Sequence, residues 1–128
     1  MTGGDAFAIR YDPVLRPLFA ALGMGPSASR IFVTADELHV EMGWAFRGHV
    51  PLSCVVSART EQIPLVLGIG VHGWGGRWAV NGSRAGGVRL DIDPPAPARV
   101  CGVPVRLRTL WVSLAEPDDF IGAVHPAG

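Results

Sequence analysis

The residues best suited to bind a ligand cluster in one glycine-rich stretch, residues 68–87. These twenty residues include eight glycines, two tryptophans, two arginines and one histidine. Glycine allows positive φ values and close approach of the backbone to another group, while tryptophan offers a large apolar surface with one donor. The candidate ligand-binding residues are His72, Trp74, Arg77 and Arg84 in this stretch and Arg89 just after it.

Two interpretations of this region stay open. Six arginines but only two aspartates lie between residues 77 and 108. They either bind an anion or an acidic partner, helped by glycine N–H groups, or form solvated strand faces paired with acids across a sheet.

Trp74 and Trp78 either line a pocket or complete the core. Trp44 and Trp111 are expected in the core.

The sequence lacks a complete catalytic or metal-binding signature. Cys54 and Ser53, near His49, are the candidate nucleophiles, but no Cys-His or Gly-x-Ser-x-Gly motif surrounds them. The glycines match neither common nucleotide-binding pattern, and the cysteines and histidines lack metal-ligand spacing. We therefore expect no cofactor, no metal and no catalytic residue, although a small β-barrel enzyme remains an alternative.

The composition indicates one globular domain with no strong overall charge. The chain has 128 residues, of which 48% are hydrophobic, and its 11 basic residues balance its 11 acidic ones. Such a chain can bury an ordinary core, and its neutral charge does not steer it toward nucleic acid or membranes. No apolar run reaches the ~20 residues of a membrane span. Without a secretory signal, Cys54 and Cys101 are expected as reduced thiols in the cytoplasm.

Helical spacing marks the two ends of the chain. After a short strand over residues 7–11, a helix is predicted to begin at Asp12-Pro13 or at Pro17 and to end near Leu22. A second helix follows Glu116-Pro117, where acidic residues face the positive end of the helix dipole. Its apolar face is formed by Phe120, Ile121 and Val124.

Period-two alternation between these helices predicts about seven short strands. It is clearest where Leu38, Val40 and Met42 alternate with polar residues, and again over residues 88–93. Pro94, Pro95 and Pro97 are expected to end the latter strand, because proline cannot donate to a sheet. Residues 99–105 and 107–114 are predicted as two more strands, with a bend near Pro104.

The predicted fold is mainly β: a small antiparallel barrel with a C-terminal capping helix and a short N-terminal helix. A single domain is expected over residues 1–128. Within it, residues 7–29 form an N-terminal strand and helix extension, and residues 30–124 form the barrel and the C-terminal helix. An open barrel has sheet edges, so self-association through an edge is expected.

Three segments resemble the bacterial pleckstrin-homology (PH)-like domains of uncharacterised actinobacterial proteins. They are the paired strands of residues 31–58, the segment 73–83, and the strand and capping helix of residues 107–124. The resemblance implies a partly open seven-stranded barrel. The basic loop with which lipid-binding relatives hold phosphoinositides is replaced here by the acidic turn at residues 34–37, so that mode of binding is not expected.

The sequence therefore favours a non-catalytic binding or scaffold module. Its expected partner is another protein or a small anionic ligand, with no nucleic acid and no transmembrane segment. Two alternatives from other classes remain: a small β-barrel enzyme or cofactor-binding protein, and a peripheral membrane adaptor.

Overall fold

The computed structural model describes residues 5–63, 70–83 and 85–124, and this part of the chain is mainly β. It contains nine strands and two α-helices. The strands are β1 (Asp5–Phe7), β2 (Ser29–Val33), β3 (Glu37–Met42), β4 (Phe46–Pro51), β5 (Val55–Thr60), β6 (Gly70–Trp74), β7 (Arg77–Asn81), β8 (Gly87–Val100) and β9 (Val103–Ser113). The helices are α1 (Arg16–Ala21) and α2 (Pro117–Val124).

All nine strands belong to one open sheet with the order β1-β2-β3-β4-β8-β9-β7-β6, and β5 pairs with β8. The mainly β fold and the C-terminal helix are thus confirmed, but the predicted small antiparallel barrel of about seven strands is replaced by an open sheet of nine. β7 runs parallel to β9, whereas the other named strand pairs are antiparallel. β1 and β6 are the end strands of the described sheet, so they carry the edges at which self-association was expected.

The prolines of β8 do not end the strand, contrary to the sequence prediction. β8 pairs with β5 through residues 88–92 and with β4 through residues 98–100. Its register with β9 shifts between Asp91 and Ala96. Pro94 and Pro95 lie in this irregular stretch, where a missing N–H breaks no regular ladder. The long strand can therefore change partners on one edge and continue.

A second correction concerns residues 99–105, which were expected to form one strand. The chain instead turns at Cys101 and Gly102, with φ values of 51° and 83°, and Val100 pairs with Val103. Two consecutive residues with positive φ form the tight turn that suits a two-residue β-hairpin. The first of them is a cysteine rather than the usual asparagine or glycine, so Gly102 was the one residue of the pair that indicated a turn in the sequence.

The core lies on the inner face of the sheet and is covered by both helices. Leu38, Val40 and Met42 are fully buried on β3, as their alternation predicts. Phe19 of α1 and Phe120 of α2 are also buried in this core. α1 begins near Pro17, as one of the two predicted starts requires.

The N-terminal segment is joined to the sheet at both of its ends. β1 pairs with β2, and isolated bridges connect Ile9 with Leu114 and Tyr11 with Gly82. The Tyr11 hydroxyl donates to the carbonyl of Met24 at 2.8 Å. Burial raises the pKa of Tyr11, partly offset by a hydrogen bond with Ser29. Residues 7–29 thus pack against the main core.

Candidate functional site

Four of the five predicted ligand-binding residues lie on one outer face of the sheet. Cross-strand partners project to the same side, and the register pairs Trp74 with Arg77, His72 with Ala79, and Ala79 with Trp111. Arg89 is opposite Trp111 on the other flank of β9. Arg84 lies outside the described residues. We call this surface the Trp111 face. Its members are Arg59, Glu61, His72, Trp74, Arg77, Arg89, Asp91 and Trp111.

Trp111 is the centre of this face and is held on several sides. Only 1% of its surface is exposed. The guanidinium carbons of Arg77 and Arg89 each lie 5.4 Å from its ring centroid, a distance at which cation–π attraction operates. Its Nε1 donates to Oε2 of Glu61 at 2.8 Å. Trp111 is buried, as expected, but in a small cluster with Ile63 and Ala79 that is separate from the main core, and the two arginines lie over its ring.

The charges around Trp111 are largely paired. Arg89 lies 3.1 Å from Asp91 and 3.8 Å from Glu61. Arg59 contacts the same two carboxylates, at 3.5 Å and 3.6 Å. Two acids thus neutralise two arginines, as one of the sequence interpretations holds. Arg89 therefore has a structural task in this network, and Arg77 is the exposed cation that remains over the indole.

Asp91 anchors this network in its ionised form. Burial by itself raises the pKa of Asp91. Hydrogen bonds from Ser57 and Arg89, together with the charges of Arg89 and Arg59, lower this pKa by a larger amount, so it lies below its usual value. The Ser57 hydroxyl donates to Oδ2 of Asp91 at 2.6 Å. A short bond to a carboxylate is strong, so Ser57 is committed to this partner.

His72 and Trp74 are exposed on the β6–β7 hairpin. The exposed fraction of Trp74 is 63%, so this indole does not complete the core. The half-buried Trp78, by contrast, packs against the main core. Gly73 permits the hairpin because a Cβ there would overlap the carbonyl oxygen of Arg77. Trp44 is 61% exposed, so its expected place in the core is wrong.

A different set of arginines surrounds a groove on the outer face of β4, β8 and β9. Arg47 and Arg99 are direct cross-strand partners, and Arg106 pairs with Pro97. The groove has a volume of about 670 Å³. We call it the arginine groove; its lining residues are Arg47, His49, Pro97, Ala98, Arg99, Pro104, Val105 and Arg106.

The arginine groove has no acidic residue in its lining. Glu41, the cross-strand partner of Arg47 on β3, forms its ion pair with Arg30 at 3.4 Å instead. Arg99 donates from Nη1 to the carbonyl of Gly102 at 2.9 Å. Within the described ranges, no carboxylate lies within 4 Å of the Arg47 or Arg106 guanidinium. This groove therefore concentrates uncompensated positive charge.

An aromatic row leads across β2 and β3 into the groove. Phe32 stacks on His39 with ring centroids 4.4 Å apart, and His39 lies 4.5 Å from His49. Arg30 covers Phe32 at 5.0 Å, and Glu37 contacts His39 at 3.4 Å. These contacts occupy the first two rings, whereas the exposed His49 lines the groove and can donate to a ligand.

The proposed nucleophiles are not combined into a catalytic site. His49 lines the arginine groove, whereas the half-buried Cys54 packs against the main core. Cys54 and Cys101 are free thiols, and Cys101 is exposed. Among residues 5–63, 70–83 and 85–124, no group of three or more His, Cys, Asp or Glu side chains could hold a metal ion. Within the same ranges, none of the helices has the length and apolar character to cross a membrane.

A smaller apolar cavity of about 350 Å³ lies beside α1. Trp44 forms part of its wall, and the indole Nε1 donates to the carbonyl of Leu22 at 2.8 Å. His72 and Cys101 are among its lining residues, so His72 borders this cavity as well as the Trp111 face. The lining of this cavity includes no aspartate, glutamate, lysine or arginine.

The comparisons with known proteins found no family model, curated protein or solved structure that matches this chain. The PH-like resemblance therefore stays a prediction. Function must be inferred from the site itself, since a fold alone does not determine it.

Sequence reasoning missed Arg47 and His49 as members of a ligand site. A signal was present, because both alternate with the buried residues Phe46, Gly48 and Val50 and therefore share an outer face. Arg99 and Arg106 were noted only as part of the arginine excess. What the sequence did not contain was the pairing of β4 with β8, which brings together residues about fifty positions apart.

Proposed function

We propose that this chain is a non-catalytic binding module and that the arginine groove is its site for a small anionic ligand. One observation carries the proposal: three arginines on three neighbouring strands line a groove that contains no acid. The Trp111 face supports it by contrast, because arginines there have carboxylate partners.

The physical argument begins with the pairing of Arg47 and Arg99. Like charges placed directly opposite on adjacent strands are destabilising, and an anion between them would turn repulsion into two charge-assisted attractions. The guanidinium group presents a planar fork of donors that suits carboxylate and phosphate. Pro97 and Pro104 provide apolar walls, and the volume of the groove falls in the range of small-molecule sites.

The groove favours binding over catalysis. Covalent catalysis requires a nucleophile with an oriented base, and the eight lining residues include no hydroxyl, thiol or carboxylate group. We also propose that the chain belongs to the PH-like class, because it combines a β-rich sheet with a C-terminal helix. A cytoplasmic location is proposed because both cysteines are free thiols.

Isothermal titration calorimetry with citrate and with inorganic pyrophosphate tests the proposal. We expect the wild-type protein to bind at least one of these polyanions, and the double variant Arg47→Ala/Arg99→Ala to bind it at least about tenfold more weakly. Arg16→Ala is the matched control, because it removes one exposed arginine from α1, outside the groove. Failure of the wild type to bind either polyanion, or equal weakening by Arg16→Ala, would overturn the proposal.

A further inference from the structure

We infer that the ligand of the arginine groove carries two anionic groups about 7 Å apart, joined by an apolar spacer; this inference rests on the proposed function. The sheet register places the polar groups of the groove at two levels. Arg47 and Arg99 form one level. His49, two residues further along β4, and Arg106, the partner of Pro97 on β9, form the other.

The first level is a two-arginine clamp. Directly opposed residues on antiparallel strands have Cβ atoms about 5 Å apart, so one carboxylate or phosphate can be contacted by both side chains. Arg99 is oriented by its bond to the carbonyl of Gly102, which uses Nη1 and leaves Nη2 and Nε for a ligand. A donor group that is already oriented loses less entropy on binding.

The second level spans three strands. The β4–β8 pairs end at Gly48 and Ala98, and beyond them His49 and Pro97 both line the groove. Pro97 pairs with Arg106 on β9, and neighbouring strands lie about 4.8 Å apart. The side chains of His49 and Arg106 can therefore both reach an anion seated over the proline ring.

The separation of the levels determines the spacing of the two anionic groups. His49 follows Arg47 by two residues on β4, and two residues of a strand span about 7 Å. Each level also contains one proline ring, Pro104 beside Arg99 at the first and Pro97 beside Arg106 at the second, and neither ring has an N–H to donate. A spacer in contact with them is favoured if it is apolar. The ligand class is thus an extended dianion with about four or five methylene groups between its charged ends.

Titration with α,ω-dicarboxylates of increasing length tests this inference. The probes are succinate, glutarate, adipate, pimelate and suberate, with hexanoate as the single-charge reference. We expect the affinity of the wild type to peak at adipate or pimelate, at least about fivefold above succinate and about tenfold above hexanoate. Bisphosphonates with the same spacers show whether phosphorus oxyanions or carboxylates are preferred, and the same length optimum is expected for both.

Variants then separate the two levels. Arg106→Ala should abolish the length optimum and bring pimelate to the affinity of hexanoate, while hexanoate still binds at the first level. Arg106 is exposed, so the variant is expected to fold, and Arg16→Ala should keep the wild-type profile. Affinities that do not vary with length, or an optimum that survives Arg106→Ala, would overturn the inference. If citrate and pyrophosphate bind in that case, the anion-binding function itself stands; if no anion binds, both fail.

Discussion

The Trp111 face and the arginine groove both lie on the outer surface of the same sheet, yet their arginines have opposite surroundings. Arg59 and Arg89 share two carboxylates in the first region. In the second, Arg47 opposes Arg99 and no acid lines the groove. Arginine content alone therefore does not mark a binding surface. The distinguishing feature is whether the residues on the neighbouring strands compensate the charge.

This comparison has an energetic side. In the Trp111 face the arginines stabilise the fold, because they cover a buried indole and pair with ionised groups. In the arginine groove Arg47 and Arg99 are directly opposed and no acid lines the groove, so these arginines are expected to contribute little to folding. A ligand of opposite charge gains the most binding free energy where like charges of the protein lie together without partners.

The largest effect is expected at the centre of the Trp111 face. Trp111→Ala removes a buried side chain together with its bond to Glu61, so the free energy of unfolding should fall by about 3–5 kcal/mol. Urea unfolding followed by circular dichroism measures this loss. The exposed Trp74 is the matched control, since Trp74→Ala should change stability by less than about 0.5 kcal/mol. Similar losses in both variants would contradict the division into covered and exposed tryptophans.

The second-largest loss of stability is expected at Asp91, the carboxylate that pairs with Arg59 and Arg89. Asp91→Asn removes the charge that Arg59 and Arg89 share, and should lower the free energy of unfolding by about 1–3 kcal/mol at pH 7. Because the pKa of Asp91 is lower in the folded than in the unfolded state, its contribution is fully present above its unfolded pKa of about 4. That contribution is lost as the pH falls through the folded pKa.

Unfolding at pH 7 and at pH 3 therefore tests the role of this charge. The wild type should lose more stability than Asp91→Asn over this interval, since the variant has no charge at this position to lose. Asp36→Asn is a suitable control, because Asp36 is exposed in the turn between β2 and β3 and lies outside the network. An equal pH dependence in the wild type and Asp91→Asn would show that the network does not depend on the Asp91 charge.

The smallest effect is expected at Arg47. Arg47→Ala relieves the repulsion with Arg99 but also removes the attraction of Glu41, its cross-strand partner on β3, so the free energy of unfolding should change by less than about 0.5 kcal/mol. This small change should shrink further in 1 M NaCl, where exposed charges are screened. Arg89→Ala is the contrasting variant and should destabilise the protein at either salt concentration. If Arg47→Ala is as destabilising as Arg89→Ala, the two regions do not differ as described.

Local patterns in the sequence predicted much of the fold. The alternation around Leu38 and around Leu90 predicted strands with the observed buried faces, and the acidic Pro-containing start predicted α2. The errors arose where the environment overrides a local preference. The prolines of β8 are tolerated because the strand changes partners there, and Cys101 takes a positive φ because the hairpin requires it.

The candidate site was less predictable than the fold. His72, Trp74, Arg77 and Arg89 were chosen for their residue types, and the sheet does place them on one face. Their types could not reveal that Glu61 and Asp91 pair with Arg89, or that Trp74 is exposed. Residue type indicates what a side chain can bind, whereas its neighbours decide whether that capacity is already used.

By itself, the sequence determined the local properties of this protein: which residues alternate between core and solvent, where the helices lie, and how many arginines are available. The tertiary structure alone decided which arginines meet carboxylates and which meet one another. The physical reason is that periodicity acts over a few residues, whereas charge compensation depends on strand pairing across the chain. The pairing of β4 with β8 set Arg47 against Arg99, and that contact distinguishes the arginine groove from the face that the sequence had indicated.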